Sequence, residues 1–185
     1  QRELQPPDLR PGLVVAGLVV IVCWIVIVRG NELRGLDEPE PGADRPAEGV
    51  ARLTISNPSK RNALDHAILD AIAQTVGGLD AHCVILTGSH GMFSAGYDIG
   101  DIPDDVFVAE AEKLVAHPFA AAIDALENYP YPTVAALSGH AIGGGLELAL
   151  SCDLRLAAGE IQLGMPPAKL GLVYSHTGLR KFLDA

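Results

Sequence analysis

The stretch TVAALSGHAIGGGLELALSCDLRLAA, residues 133–158, decides the fold, because two strand-like runs flank a glycine-led helical pattern. Residues 133–139 form a short apolar run typical of a buried strand, and residues 152–158 form another. Between them, three glycines precede an apolar segment with helical spacing. A strand, a helix and a second strand joined by short links predict parallel strands covered by helices.

The glycines at 143–145 lie where the strand pattern gives way to the helix pattern. A helix that begins near Gly143 leaves its first backbone N–H groups without intrahelical partners, and the helix dipole there favours negative charge. Because helical side chains lean toward the N-terminus, Glu147 would lie over whatever these groups hold. The turn therefore predicts an oxyanion donor beside a carboxylate that transfers protons. A glutamate in a first helical turn is also a common cap or dipole partner.

The alternation of strand and helix patterns extends toward the N-terminus. Residues 50–56 and 83–88 read as strands, whereas residues 63–76 and 105–130 read as helices, the second broken at Pro118. Repeated strand-then-helix units with short links predict an α/β fold with a largely parallel sheet.

A second glycine-containing turn, in GMFSAGYDIGDIP (residues 91–103), follows the predicted strand 83–88. The backbone N–H of Tyr97 is a candidate to point into a site from this turn. Two such donors from two strand ends are what a tetrahedral or enolate oxyanion requires. The pair of turns is therefore a more specific signal than either turn alone.

Composition narrows the class of protein. The 185 residues carry a formal net charge of −10, which argues against a nucleic-acid binder, since such a protein needs a basic face. Cys23, Cys83 and Cys152 are scattered without CxxC spacing, so we expect reduced core thiols and a cytoplasmic protein. The six histidines show no metal-ligand spacing, and no metal site is expected.

The N-terminal third differs from the rest of the chain. Residues 12–28 carry no charge and are just long enough to span a membrane, but they are also rich in Val and Ile, like a buried strand. Both interpretations stay open, so residues 1–35 are an apolar segment of unknown role that includes a candidate membrane anchor. Residues 36–49 are acidic and proline-rich and are predicted to be a linker before a domain at 50–185.

Three motifs in order carry a family resemblance: NPSKRNAL (57–64), FSAGYDI (93–99) and GHAIGGGLELALSCDLRLA (139–157). Together they resemble the crotonase superfamily, also called the enoyl-CoA hydratase/isomerase family. LGMPPAKLGLVYSHTGLRKF (163–182) is similar to the stretch that follows in those enzymes. The resemblance implies an α/β spiral of β-β-α units. Family members usually continue into further C-terminal helices, so it also implies an incomplete domain or a site completed by another chain.

The resemblance also implies roles for individual residues. The backbone N–H groups of Tyr97 and Gly144 would form an oxyanion hole for a thioester carbonyl, with Glu147 as the acid/base. Coenzyme A would enter as part of the substrate, and no permanently bound cofactor is implied. Lys60 and Arg61 would meet its phosphates, although a solvated loop pair is the alternative. The residues implied to contact coenzyme A are Lys60, Arg61, Ala63, Ala95, Asp98 and Gly143.

Two positions complicate the choice of reaction. Pro167 stands where hydratases of the family have a second glutamate, which favours a single-carboxylate reaction such as double-bond isomerisation. Tyr174 falls where methylmalonyl-CoA decarboxylases of the superfamily have a tyrosine near the thioester, although a packed aromatic is the alternative. Tyr97 replaces a histidine expected in those decarboxylases.

Three functions are therefore carried forward. The first is an enoyl-CoA hydratase/isomerase-like enzyme that stabilises a thioester enolate, and the second is a methylmalonyl-type acyl-CoA decarboxylase. The third is a non-catalytic acyl-CoA-binding or membrane-tethered scaffold protein, with membrane contact through residues 12–28. The resemblance also implies a homo-oligomer, either a trimer or a hexamer.

Overall fold

The computed structural model describes residues 25–28, 42–100, 115–166 and 176–184. The strands are β1 Ile25–Val28, β2 Gly42–Ala47, β3 Val50–Ile55, β4 Cys83–Gly88, β5 Met92–Ser94, β6 Thr133–Leu137, β7 His140–Ile142, β8 Leu154–Ala158 and β9 Leu163–Gly164. The α-helices are α1 His66–Gly78, α2 Ala120–Glu127, α3 Gly144–Leu150 and α4 His176–Asp184.

The strands form a six-stranded sheet in the order β1-β8-β6-β4-β3-β2 and a three-stranded sheet in the order β5-β7-β9. All pairs are parallel except β2 with β3. Each of β4, β6 and β8 in the large sheet is followed by one short strand of the small sheet, and then by helical structure. The spiral of β-β-α units implied by the family resemblance is therefore confirmed.

The short strands of the small sheet were not predicted individually from the residues. β5 and β7 have three residues and β9 has two, which is too few for alternation to show. Glycines allow the chain to pass between the sheets at close range. A Cβ on Gly88 would lie 2.1 Å from the Met92 carbonyl oxygen, and one on Gly139 would lie 1.9 Å from that of Gly91. Neither contact is compatible with a side chain.

Helix α1 begins after Asp65, whose carboxylate accepts a hydrogen bond from the Ile68 N–H at 2.8 Å. Leu64 was predicted inside this helix, but it precedes the cap and forms a parallel bridge with Tyr97. The helix therefore starts later than the predicted range 63–76, and its buried face is one apolar stripe. That stripe contains Leu69, Ile72 and Val76.

The break predicted at Pro118 is confirmed. A π-helical turn, Val115–Phe119, contains this proline and leads directly into α2. Proline lacks the backbone N–H that a regular helix requires, so it interrupts the hydrogen-bond ladder. Residues 105–114 of the predicted helix lie outside the described residues.

Strand β2 corrects the predicted linker at 36–49, because residues 42–47 pair antiparallel with β3 at one edge of the large sheet. Pro46 is accommodated because the register shifts between Asp44 and Ala47 and because an edge strand need not donate every N–H. The folded domain therefore begins before residue 50.

Part of the apolar N-terminal stretch is also in the large sheet. Residues 25–28 form β1, which pairs parallel with β8 at the opposite edge from β2. Residues 12–24 of the candidate membrane anchor lie outside the described residues. Among the helices within the described ranges, none has the length and apolarity needed to cross a membrane.

Candidate active site

Two of the predicted site segments run side by side. The Ala95 N–H donates to the Arg61 carbonyl at 3.0 Å, and the Leu64 N–H donates to the Gly96 carbonyl at 2.7 Å. The Asp98 N–H then donates to the Leu64 carbonyl at 2.9 Å. These bonds join the motifs NPSKRNAL and FSAGYDI into a short parallel ladder.

The ladder sets the direction of the Tyr97 backbone. The Gly96 carbonyl and the Asp98 N–H both bond to the backbone of Leu64. The N–H and C=O of alternate residues in an extended chain point to opposite sides, so the Tyr97 N–H faces away from Leu64. Gly96 itself lies against the glycine turn. A Cβ built on it would be 3.3 Å from the Gly144 nitrogen. The segments that carry the two predicted oxyanion donors are thus in direct contact.

The turn before α3 has a backbone shape that favours glycine. Gly143 has φ 55° and ψ −126°, and its N–H donates to the Gly164 carbonyl at 2.8 Å. Gly144 is the first residue of α3. Within the part of the chain that the structure describes, no group accepts a hydrogen bond from the Gly144 N–H. This is the position at which an anion or oxyanion would find a donor.

The other two glycines of the run are required by close packing. A Cβ on Gly144 would lie 2.7 Å from a ring carbon of Tyr97, and one on Gly145 would lie 2.6 Å from the Ser94 Cβ. Ser94 is fully buried, and its Oγ accepts a hydrogen bond from the Gly96 N–H at 3.1 Å. Sequence reasoning overlooked Ser94 although it lies inside the FSAGYDI motif.

Glu147 lies in the first turn of α3 and is only 6% exposed. Its backbone N–H donates to the Gly143 carbonyl at 3.1 Å, which places it one helical turn from the glycine turn. Glu147 is the fourth residue of α3, one beyond the position of a capping-box carboxylate, and the Gly143 N–H donates to the Gly164 carbonyl, whereas the role of dipole partner stays open. A carboxylate is costly to bury, so its position calls for a specific role or partner.

The residues expected to receive coenzyme A lie at the outer end of the ladder. The Lys60 Nζ pairs with Asp98 at 2.9 Å to Oδ2 and 3.2 Å to Oδ1. This ion pair links two predicted ligand-binding residues and offsets part of the lysine charge. Arg61 is exposed and has a left-handed backbone with φ 53°.

An open cavity of about 600 Å³ lies beside the glycine turn. It is lined by Ile142 and residues 161–166, whose side chains are apolar except for Gln162. The hydrogen bond from Gly143 to Gly164 connects its wall to the turn. The cavity therefore offers a mainly apolar surface next to the predicted oxyanion donors.

Two of the predicted positions cannot be located, and one residue near the ladder was overlooked. Pro167 and Tyr174 lie outside the described residues, so their roles stay predictions. Asn62, in contrast, is 1% exposed and makes several hydrogen bonds within the ladder region. The sequence contained a signal for this residue, because asparagine is one of the few residues that readily adopts left-handed backbone angles.

The two thiols within the described residues lack the lowered pKa of a reactive nucleophile. Burial raises the pKa of Cys152 to about 12, with the Asp153 charge adding to the effect and Arg155 and Thr133 opposing it. Burial, helped by Asp153, also raises the pKa of Cys83. Both groups therefore stay protonated near neutral pH, although only Cys152 is buried in the core as expected and Cys83 is half-buried. Cys23 lies outside the described residues.

This chain matches a known protein family and several of its members. The model of the family described as Enoyl-CoA hydratase/isomerase matches residues 45–183. The protein named "Probable enoyl-CoA hydratase" from Bacillus subtilis is 35% identical over 136 residues, which cover 71% of this chain and 52% of that protein. The chain thus spans about half the length of the curated relatives it matches.

Solved structures give the same result. A candidate enoyl-CoA hydratase/isomerase family protein from Hyphomonas neptunium is 34% identical with a TM-score of 0.68, over 77% of this chain and 56% of that one. A candidate enoyl-CoA hydratase from Thermobifida fusca YX, solved in complex with acetoacetyl-CoA, is 31% identical with a TM-score of 0.64, over 77% and 60%. This chain belongs to the enoyl-CoA hydratase/isomerase family of the crotonase superfamily.

Proposed function

We propose that this chain binds an acyl-CoA thioester and stabilises its enolate with the backbone N–H groups of Tyr97 and Gly144. Glu147 would move a proton to or from the substrate. Among the reactions of the family, double-bond isomerisation or hydration of an enoyl-CoA would follow from these roles.

The observation that carries the proposal is the contact between the two predicted donor segments. Gly96 lies against Gly144, and the Tyr97 N–H faces away from the ladder that its neighbours make with Leu64. Fixed backbone donors stabilise developing negative charge without reorganisation, and losing one such donor typically costs about 10²–10³ in rate. A backbone N–H can donate whatever side chain the residue carries, so a tyrosine at position 97 is compatible with this role.

The buried position of Glu147 supports its role in proton transfer. It lies one helical turn from the glycine turn and is 6% exposed. In an isomerisation, one carboxylate suffices, because it can remove a proton from C2 of a 3-enoyl thioester and return it at C4. Pro167, which cannot transfer protons, replaces the second glutamate of hydratases and favours this reaction over hydration.

The coenzyme A portion of the substrate would lie at the loop of residues 57–64. Lys60 and Arg61 supply positive charge at this loop. Because the chain as a whole has a net charge of −10, this loop is the place proposed to attract the phosphates. The Thermobifida fusca relative in complex with acetoacetyl-CoA supports a thioester ligand. The proposed contacts of Ala63, Ala95, Asp98 and Gly143 are largely through the backbone.

The test is incubation of the purified chain in D₂O with crotonyl-CoA, a 3-enoyl-CoA and methylmalonyl-CoA, with products followed by mass. We expect bond migration and deuterium incorporation with the 3-enoyl thioester. Water addition would assign hydration in spite of Pro167, and loss of CO₂ would assign the decarboxylase alternative that involves Tyr174. Coenzyme A binding without turnover would assign the non-catalytic binding protein.

Replacing Glu147 by Gln tests the acid/base role. We expect turnover to fall by about 10²–10⁴, because the amide cannot accept the proton, while coenzyme A binding changes little. Glu160→Gln is the matched control, since Glu160 is exposed and lies after β8. Equal activity of the Glu147→Gln and Glu160→Gln variants would contradict the role.

The homo-oligomer implied by the family resemblance stays a prediction. So does membrane contact through residues 12–28, of which only 25–28 are described.

A further inference from the structure

We propose that Asn62 is a positioning residue that holds the coenzyme A loop and the Tyr97 donor in one fixed arrangement. The inference rests on the proposed function of these two segments. Asn62 is buried, so in this proposal it acts through the backbone groups that it binds.

The side chain of Asn62 uses its full hydrogen-bonding capacity. Its Nδ2 donates to the Ser89 carbonyl at 2.9 Å and to the Met92 carbonyl at 2.7 Å. Its Oδ1 accepts from the Asn57 N–H at 2.9 Å and from the Ser89 hydroxyl at 3.3 Å. Two donors and two acceptors are what an asparagine amide can supply, and here all are used inside the protein.

These bonds join two segments that are distant in sequence, the loop of residues 57–62 and the turn of residues 89–92. Asn57 begins the loop that carries Lys60 and Arg61, Ser89 follows β4, and Met92 begins β5. Because β5 leads directly into the turn of Tyr97, the carbonyl of Met92 fixes where that turn starts. One amide therefore sets the distance between the two predicted halves of the site.

The backbone of the loop depends on the same residue. Arg61 and Asn62 are consecutive left-handed residues with φ 53° and 56°, an arrangement that asparagine tolerates but that is costly for arginine. It turns the Arg61 carbonyl toward the Ala95 N–H, which it binds at 3.0 Å. The hydrogen bonds of the buried amide, which is 1% exposed, hold this strained turn in place.

The test replaces Asn62 by Gly, which tolerates the left-handed backbone and removes the whole side chain with its amide. Coenzyme A affinity is measured by calorimetry, and kcat and KM with the thioester that the wild type turns over. Thermal unfolding is followed in parallel. We expect the coenzyme A Kd to rise about tenfold and kcat/KM to fall about tenfold to a hundredfold, since misplacement of catalytic groups by about 1 Å has effects of this size.

The matched control is Thr133→Val. Thr133 is also 1% exposed, and its hydroxyl exchanges two hydrogen bonds with Asp153 at the opposite end of the strands. We expect this variant to lose thermal stability as Asn62→Gly does, but to keep Kd and kcat/KM within about twofold. The proposal is overturned if both variants lose stability and neither changes Kd or kcat/KM.

A milder variant covers the case in which Asn62→Gly does not fold. Ser89→Ala removes the hydroxyl contacts with Asn62 Oδ1 and Ser56 Oγ and leaves the Ser89 carbonyl in place. We expect a rise in Kd and a fall in kcat/KM of about twofold to threefold, and unchanged values would overturn the proposal. A wild-type chain that binds no coenzyme A would instead refute the proposed function itself, before any variant is made.

Discussion

The two ends of the large sheet are held together in different ways. At the carboxyl ends of β4 and β6, backbone packs directly against backbone, as where Gly139 lies against the Gly91 carbonyl, and the side chains of Asn62 and Ser138 bond to carbonyls there as well. At the amino ends, side chains also link the strands. Thr133 donates its N–H and its hydroxyl to Asp153 at 2.7 Å and 2.9 Å, and the Tyr129 hydroxyl donates to the Ala81 carbonyl at 2.7 Å.

The carboxyl ends therefore carry the proposed site, whereas the contacts at the amino ends contribute to stability. Backbone contacts at the carboxyl ends leave no room for a Cβ, and the proposed donors of Tyr97 and Gly144 lie at that end. Side-chain contacts at the amino ends tie strands together without facing the proposed substrate. Ligands of open α/β sheets generally bind beyond the carboxyl ends of the strands, which agrees with this division. Substitutions at the two ends should therefore have separable effects.

The largest effect is expected for Gly144→Ala. The new Cβ would lie within 2.7–3.0 Å of three carbons of the Tyr97 ring, which packs edge-on against Phe119 at 4.8 Å between ring centres. We expect a loss of about 1–3 kcal/mol in the free energy of unfolding from overpacking. Turnover should fall by about 10² or more, because the first N–H of α3 moves. Urea denaturation and steady-state kinetics measure the two effects.

A double variant tests whether contact with the Tyr97 ring causes the loss of stability in Gly144→Ala. Tyr97→Leu removes the aromatic edge, so in combination with Gly144→Ala it should recover part of the lost stability. The two substitutions should therefore couple by about 0.5–3 kcal/mol in a double-mutant cycle. Strict additivity would show that the Cβ acts through some other contact.

At the amino ends, Asp153→Ala should affect stability alone. It leaves the buried N–H and hydroxyl of Thr133 without their acceptor, at a cost of about 1–3 kcal/mol. Urea denaturation should report this loss, while kcat and KM stay within about twofold of the wild type. A tenfold change in either kinetic parameter would break the proposed division between the two ends.

The smallest effect near neutral pH is expected at Cys152. Its pKa is raised from 9.0 to about 12 in the folded protein, so the folded state keeps a proton that the unfolded state releases. The thiol has little effect on the pH dependence of stability below about pH 8, where it is protonated in both states. Between pH 9 and 12, stability should fall with a slope of up to about 1.4 kcal/mol per pH unit. Urea denaturation from pH 8 to 11 measures this slope.

The Cys152→Ala variant should lose this contribution and show a shallower slope. Cys83→Ala serves as the control, because Cys83 is less buried and its pKa is raised less. Identical slopes for the wild type and Cys152→Ala would contradict the expected linkage.

Much of the candidate site could be predicted because its signals are local. Glycines before an apolar helical pattern indicate the start of α3 at Gly144, and the helical repeat then places Glu147 one turn further. The longer strands were also predictable, because runs of five or six residues show their apolar character. The strands of the small sheet and β2 were not, because two are three residues long, one is two, and β2 contains a proline.

The sequence by itself therefore determined the periodic elements, the positions of the two glycine turns and the family motifs. Only the tertiary structure decided which distant groups meet. Asn62 bonds to residues 27 and 30 positions away, and Lys60 pairs with an aspartate 38 positions away. Periodicity and turn propensity report on neighbours within a few residues, whereas such contacts depend on how the two sheets pack. Their partners follow from the packing of the whole domain.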